Sequence, residues 1–179
     1  MVDADMESEA NTSGAPASAS NAANTEVMFY HLMEQPLELA LTELLERSLQ
    51  RGWRAVVEGR NRNRLEALDQ HFWMHRADSF LPHALGDTAS SEPQQPERQP
   101  VWLTDESDDP NAAQVRFLID QAQATDDCRH ERLVYMFDGL DMEAVGHARE
   151  RWKAEKALGR KLTYWQQSPE GRWEKKAEG

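Results

Sequence analysis

The chain has 179 residues, 39% apolar and 29% charged, and its 20 basic residues against 32 acidic ones leave a formal net charge of −12. That length suits one domain with its own core, and the acidic balance excludes a bulk nucleic-acid binder, whose phosphates demand a positive face. The single cysteine, Cys128, excludes an internal disulfide and a cysteine-rich zinc site. The longest unbroken apolar run, residues 133–137, is far shorter than the ~20 residues that span a bilayer. Residues 1–9 are acidic where a secretory or transit segment is basic, so a reducing, cytoplasmic setting is expected.

In chain order, residues 1–26 predict a disordered arm of acidic and small residues, with nothing to bury against the entropy of ordering. The apolar, aromatic stretch EVMFYHL predicts a strand over residues 26–32. Pro36 opens a helix whose Leu37, Leu41, Leu44, Leu45 and Ser48 share one face, with Gly52 as its stop. A second strand over residues 53–58 precedes a helix carrying Leu65, Leu68 and Phe72 to about His75. Residues 86–100, with three prolines and no apolar rhythm, predict a mobile surface loop.

Strands are then expected at residues 101–104, 114–119 and 132–137. Asp141 caps a helix to about Leu158, ended by Gly159, and residues 162–167 and 172–175 form a terminal hairpin around Ser168 to Gly171. Alternating strands and helices predict an α/β fold: one Rossmann-like domain over residues 27–176, a mostly parallel sheet flanked by helices, then a short tail at 177–179.

No catalytic constellation emerges. A phosphate loop needs glycines after the first strand, yet none lies between Met28 and Arg51. His71 and His75 have zinc-compatible spacing but lack the acid of a zinc peptidase, and half-buried histidines are the plainer reading. Cys128 lies near His130 in an Asp- and Arg-bearing loop, where a lone thiol is more often incidental. The expectation is no enzyme, no cofactor and no metal.

Charge is distributed unevenly. Residues 1–146 hold 11 arginines, no lysine and 27 acids, a net of −16, while residues 147–179 hold 9 basic residues and 5 acids, a net of +4. In the last helix Arg149, Lys153, Lys156 and Arg160 recur at spacings of 4, 3 and 4, with Trp152 at the border of the face marked by Val145 and Ala148. An apolar wall beside cations suits an acidic peptide ending in an apolar residue and a carboxylate; a solvated charged face is the bland reading, and direct binding of a single strand is a further alternative. Trp73, one residue past Phe72 and so turned about 100° from it, either completes the core or pairs with Phe80 as an anchor for a partner.

The stretches FYHL, RLEALDQHFW with SFLPHAL, ERLVYMFDG, and above all ARERWKAEKALGRKLTYWQQSPEGRW make the chain similar to the chi subunit of bacterial DNA polymerase III holoenzyme, over about residues 27–176. The resemblance implies a non-catalytic accessory subunit on the clamp-loader side of the replicase. It implies two partners, the acidic C-terminal tail of single-stranded DNA-binding protein, and either the psi subunit or a repair helicase. By position, Arg149, Trp152 and Lys153 would grip the tail, with Phe137, Leu162 and Tyr164 near that groove, while Trp73 and Phe80 would face psi or the helicase. Val145 stands where some relatives carry a cation, a loss that Lys156 and Arg160 are expected to offset.

Overall fold

The structure is a computed structural model and describes residues 24–74, 80–86 and 94–179. Its elements are β1 (Glu26–Leu32), α1 (Leu37–Gln50), β2 (Ala55–Gly59), α2 (Arg62–Met74), β3 (His83–Leu85), β4 (Val101–Thr104), β5 (Val115–Ile119), β6 (Arg132–Asp138), α3 (Met142–Ala157), β7 (Lys161–Gln167) and β8 (Trp173–Glu178). They build one eight-stranded sheet in the order β3-β4-β2-β5-β6-β1-β7-β8. Every neighbouring pair is parallel except the terminal β7–β8 hairpin. The expected α/β architecture is present, with α3 feeding the hairpin.

Helices cover both faces, so the central strands β2 and β5 are buried at every position, and their two charged residues, Glu58 and Arg116, pair with each other. One core joins Leu41 and Leu45 of α1 and Leu65, Leu68 and Phe72 of α2 to Val57, Phe117 and Ile119. The other sets Ala144, Val145 and Ala148 of α3 against Phe29, Leu133, Tyr135 and Leu162. Gly52 and Gly159 end α1 and α3 at φ +76° and +73°, a left-handed turn that glycine adopts without a Cβ clash. The Asp141 carboxylate caps α3 by accepting the N–H groups of Glu143 and Ala144 at 2.9 and 3.2 Å.

The amide nest at the start of α1 is filled from within. The N–H groups of Met33, Glu34 and Gln35 donate to Gln167 Oε1 at 3.0, 3.1 and 3.1 Å. In nucleotide-binding folds of this topology, a phosphate takes that position; here it holds the β1–α1 loop to the end of β7.

The structure departs from the sequence reading at four places. β3 is an unanticipated three-residue edge strand, too short for a periodic signal, carrying buried His83. Within 86–100, Pro96–Arg98 forms a single 3-10 turn, and residues 87–93 lie outside the described residues. The expected tail at 177–179 is instead part of the sheet, because a bulge opposite Tyr164 and Trp165 lets β8 run to Glu178 and Gly179 exchanges backbone hydrogen bonds with Leu162 at 3.0 Å. Of the arm expected over residues 1–26, residues 1–23 lie outside the described residues, whereas Thr25 is buried and Glu26 opens β1.

The last turn of α3 is tied down by a buried carboxylate. Glu155, fully buried, accepts from Tyr135 Oη at 2.7 Å, from Arg151 Nη2 at 2.7 Å and from Arg160 Nη1 at 2.5 Å, and Arg160 Nη2 also donates to the Asp126 carbonyl. Burial and the Glu155 charge push the Tyr135 hydroxyl well above its ordinary range, keeping it a donor. Removing one member strands the others without a counter-charge, which costs about 3–5 kcal/mol. Glu155→Ala is therefore expected to lower unfolding free energy by that amount in urea titrations, and Glu155→Leu with Arg160→Met to recover most of it.

Candidate functional site

The inward residues of α3 are Ala144, Val145, Ala148 and Glu155, so Arg149, Lys153 and Lys156 are left exposed on the opposite side. Trp152 lies between the two faces, half-buried, its ring 5.4 Å from Phe29 and 6.0 Å from Tyr164. Tyr164 in turn stacks 6.4 Å from Phe29 and stands 6.2 Å from Phe137. The result is an aromatic shelf over β6, β1 and β7, roofed on one side by the cationic edge of α3.

Leu162 is wholly buried and Phe137 nearly so, and they form the floor rather than the lip. His31, on the same face of β1 as Phe29, shares a 2.9 Å hydrogen bond between Nδ1 and Tyr164 Oη, and its ring lies 5.2 Å from Phe137. Gly139 closes the far side, where a Cβ would run into the His31 imidazole and the Met33 sulfur.

The Arg149 charge bears on this shelf. Burial pushes the His31 pKa below its ordinary 6.5, and the Arg149 charge pushes the same way. Burial raises the Tyr164 hydroxyl, and the same guanidinium opposes it. One cation thus acts on both polar groups of an aromatic shelf that sets ring faces and a phenol beside positive charge.

Of the residues singled out from sequence, Arg149, Trp152, Lys153, Phe137, Leu162 and Tyr164 come together here, and Lys156 lies one turn on. Arg160 does not belong with them. The helix ends at Ala157, and Arg160 turns inward to full burial against Glu155 and the Asp126 carbonyl, because that buried carboxylate requires a counter-charge. It cannot offset the missing cation at Val145. Phe29 and His31 went unnoticed in the sequence, although the period-two alternation of β1 sets both on the face of Val27.

Trp73 and Phe80 are 59% and 70% exposed with ring centroids 5.8 Å apart, which decides between core and surface for Trp73. Met74 beside them is 77% exposed. Buried His83 supports the pair, 5.1 Å from the Trp73 ring and held by the Leu81 and Asp69 carbonyls. This patch borders β3, six strand spacings from β7, about 29 Å across the sheet at ~4.8 Å per strand.

Cys128 is buried with its Sγ 3.6 Å from His130 Nδ1. His71 lies on α2, and His75 falls outside the described residues. Among the described residues no group of three or more His, Cys, Asp or Glu could hold a metal, and no helix is long and apolar enough to cross a membrane.

Residues 25–163 match the family described as DNA polymerase III chi subunit, HolC. The chain belongs to the chi-subunit family. It is also 28% identical over 90 residues to a probable DNA polymerase III subunit chi of Rickettsia prowazekii (strain Madrid E), covering 50% of this chain and 52% of the relative. The chain thus spans about half the length of the curated relative it matches. The chi match takes in Arg149, Trp152, Lys153 and Leu162 and stops one residue before Tyr164, so most of the terminal hairpin lies beyond it.

Because folding holds His31 below its ordinary pKa, the unfolded chain takes up that proton first on acidification. The stability tied to a neutral His31 is complete above about pH 6.5 and is lost as pH falls below it. An NMR titration of the His31 imidazole should give a midpoint below 6.5, moving upward in Arg149→Ala; an unshifted midpoint in that variant would remove Arg149 from the shelf.

Proposed function

We propose that this chain tethers the replicase to single-stranded DNA-binding protein by gripping that protein's acidic C-terminal tail in the groove between α3 and β7. The observation that carries the reading is that exposed Arg149 and Lys153 flank half-buried Trp152 on α3, whose ring lies 6.0 Å from half-buried Tyr164. Carboxylates of the tail pair with Arg149, Lys153 and Lys156. Its terminal apolar side chain lies against Trp152 and Tyr164, over the floor of Phe137 and Leu162. Guanidinium suits a carboxylate because its fork donates two parallel hydrogen bonds.

Exposed ion pairs yield only ~0–1 kcal/mol each, so a single tail binds modestly and releases with salt. Strength comes from multivalency, since a coated strand presents many tails at high effective concentration. Weak, renewable contacts of that kind hold a polymerase near the strand while permitting exchange. The chain acts here as an adaptor without a catalytic step, in a clamp-loader-associated position.

The second partner, psi or a repair helicase, docks at Trp73 and Phe80. Paired exposed aromatics with Met74 beside them make a compact apolar anchor. Placing it on the opposite edge of the sheet from the tail groove lets both partners bind together.

A fluorescent peptide of the cognate tail, titrated at low and high salt, tests the groove. Micromolar-range binding is expected, weakening with salt, falling at least about tenfold in Arg149→Ala and Trp152→Ala and unchanged in Trp73→Ala. An oligonucleotide that binds where the peptide does not would make α3 a single-strand contact instead.

A further inference from the structure

At the amino ends of the strands, away from the groove, arginines gather around Trp53. The Arg51 and Arg132 guanidinium carbons lie 5.7 and 5.0 Å from its ring centroid. A cavity of about 580 Å³ runs past Trp53 to Arg129, Arg132 and Lys161. On its α1 side a second hollow, about 240 Å³, has Arg47, Arg51 and Arg132 around Tyr30 and Trp165, with no carboxylate in its lining. The carboxylates that face the first cavity are Glu26, which pairs with Arg132 at 2.5 Å and Lys161 at 3.7 Å, and exposed Glu131. Arg54 is turned to the Glu97 and Asn111 carbonyls. Among the described residues, no ion pair engages Arg51 or Arg129, both exposed. On a chain of net charge −12, this is a local excess of cations over apolar rings.

Asn24 lines the first cavity too, and it is the residue on which the arm is rooted. Residues 1–9 carry Asp3, Asp5, Glu7 and Glu9 and no cation, and residues 10–23 carry no charge at all, being mostly alanine, serine and asparagine. An acidic block is thus joined to the cavity's rim by a 14-residue neutral tether. Fourteen residues reach at most roughly 50 Å, enough to bring the acidic block to the patch.

We infer that the Arg51–Trp53–Arg129 patch is the docking site of this chain's own acidic arm. Charge is complementary, and the tether starts inside the site. Linkage supplies an effective concentration on the order of millimolar, so an intrinsically millimolar contact is already about half populated. A free polyanion lacks that advantage and meets the repulsion of the whole chain. The contact is displaced by salt or by a competing polyanion.

The test uses the full chain with Asp3→Asn, Asp5→Asn, Glu7→Gln and Glu9→Gln, and a labelled peptide of residues 1–20 as the probe, at about 50 and about 300 mM salt. The peptide is expected to bind the neutralised chain about twofold more tightly than the wild type, whose own arm competes at about half occupancy. Binding should vanish at the higher salt and on adding Arg51→Ala with Arg129→Ala, and persist with Arg51→Lys and Arg129→Lys. Equal affinity for the two chains, or no binding to either, overturns the inference. So does binding that survives the Arg51 and Arg129 alanine variants but is lost in Arg149→Ala, which would seat the arm in the α3 groove. Binding of an oligothymidine to the neutralised chain, with none of the peptide, would assign the patch to nucleic acid.

Discussion

The fully buried Glu155 carboxylate holds the proposed recognition face of this protein in place. It accepts from Tyr135 on β6, from Arg151 on its own helix and from Arg160 just beyond the helix end. Those bonds fix both the rotation of α3 and the position of its last turn on the sheet. With Ala144, Val145, Ala148 and Glu155 turned inward, the 3.6-residue period leaves Arg149, Lys153 and Lys156 outward and Trp152 at the seam. A rotation of one residue, about 100°, would carry Arg149 away from His31 and Tyr164 and dismantle the groove. The buried network contributes specificity of orientation as much as stability, since a buried ion pair gains little over well-packed apolar residues.

The sheet supplies the second constraint. β1 is central to the carboxyl half, parallel to β6 on one side and β7 on the other, and it carries Phe29 and His31 into the shelf. The Gln167 side chain fills the amide nest at the head of α1 where a phosphate would sit in a nucleotide-binding relative of this topology. A layout associated with nucleotides is here turned into a scaffold whose proposed recognition surfaces lie along its edges. Trp73 and Phe80 at the β3 edge and the α3–β7 groove near the other are held apart by the width of the sheet, which is the geometry an adaptor between two partners needs.

Much of this was legible in the residues. The absence of glycine between Met28 and Arg51 argued against a phosphate loop, and the spacing of Leu41, Leu45, Leu65, Leu68 and Phe72 gave the helical core faces. The 4-and-3 spacing of Arg149, Lys153 and Lys156 gave the cationic stripe. Arg160 was misplaced because periodicity continues on paper where Gly159 has already turned the chain, and because a buried carboxylate eleven residues beyond Ala144 has no local signature. β3 has three residues, too few for alternation to register. His31 joins the groove through strand pairing with β7, a contact across 133 positions that no local pattern contains. The Arg–Trp patch likewise gathers α1, β2 and β6 into one place, and only the fold brings Arg51, Trp53 and Arg132 together.

The central claim is that acidic-tail recognition is confined to the seam between α3 and β7. Amide and indole chemical shifts of the full chain, followed by NMR as unlabelled tail peptide is added, address it most directly. Shifts concentrated at Arg149, Trp152, Lys153 and Tyr164, with the Trp73 indole and the Phe80 amide unmoved, are the predicted result. Shifts centred on Trp53 or Trp73 with a silent Trp152 would contradict the account.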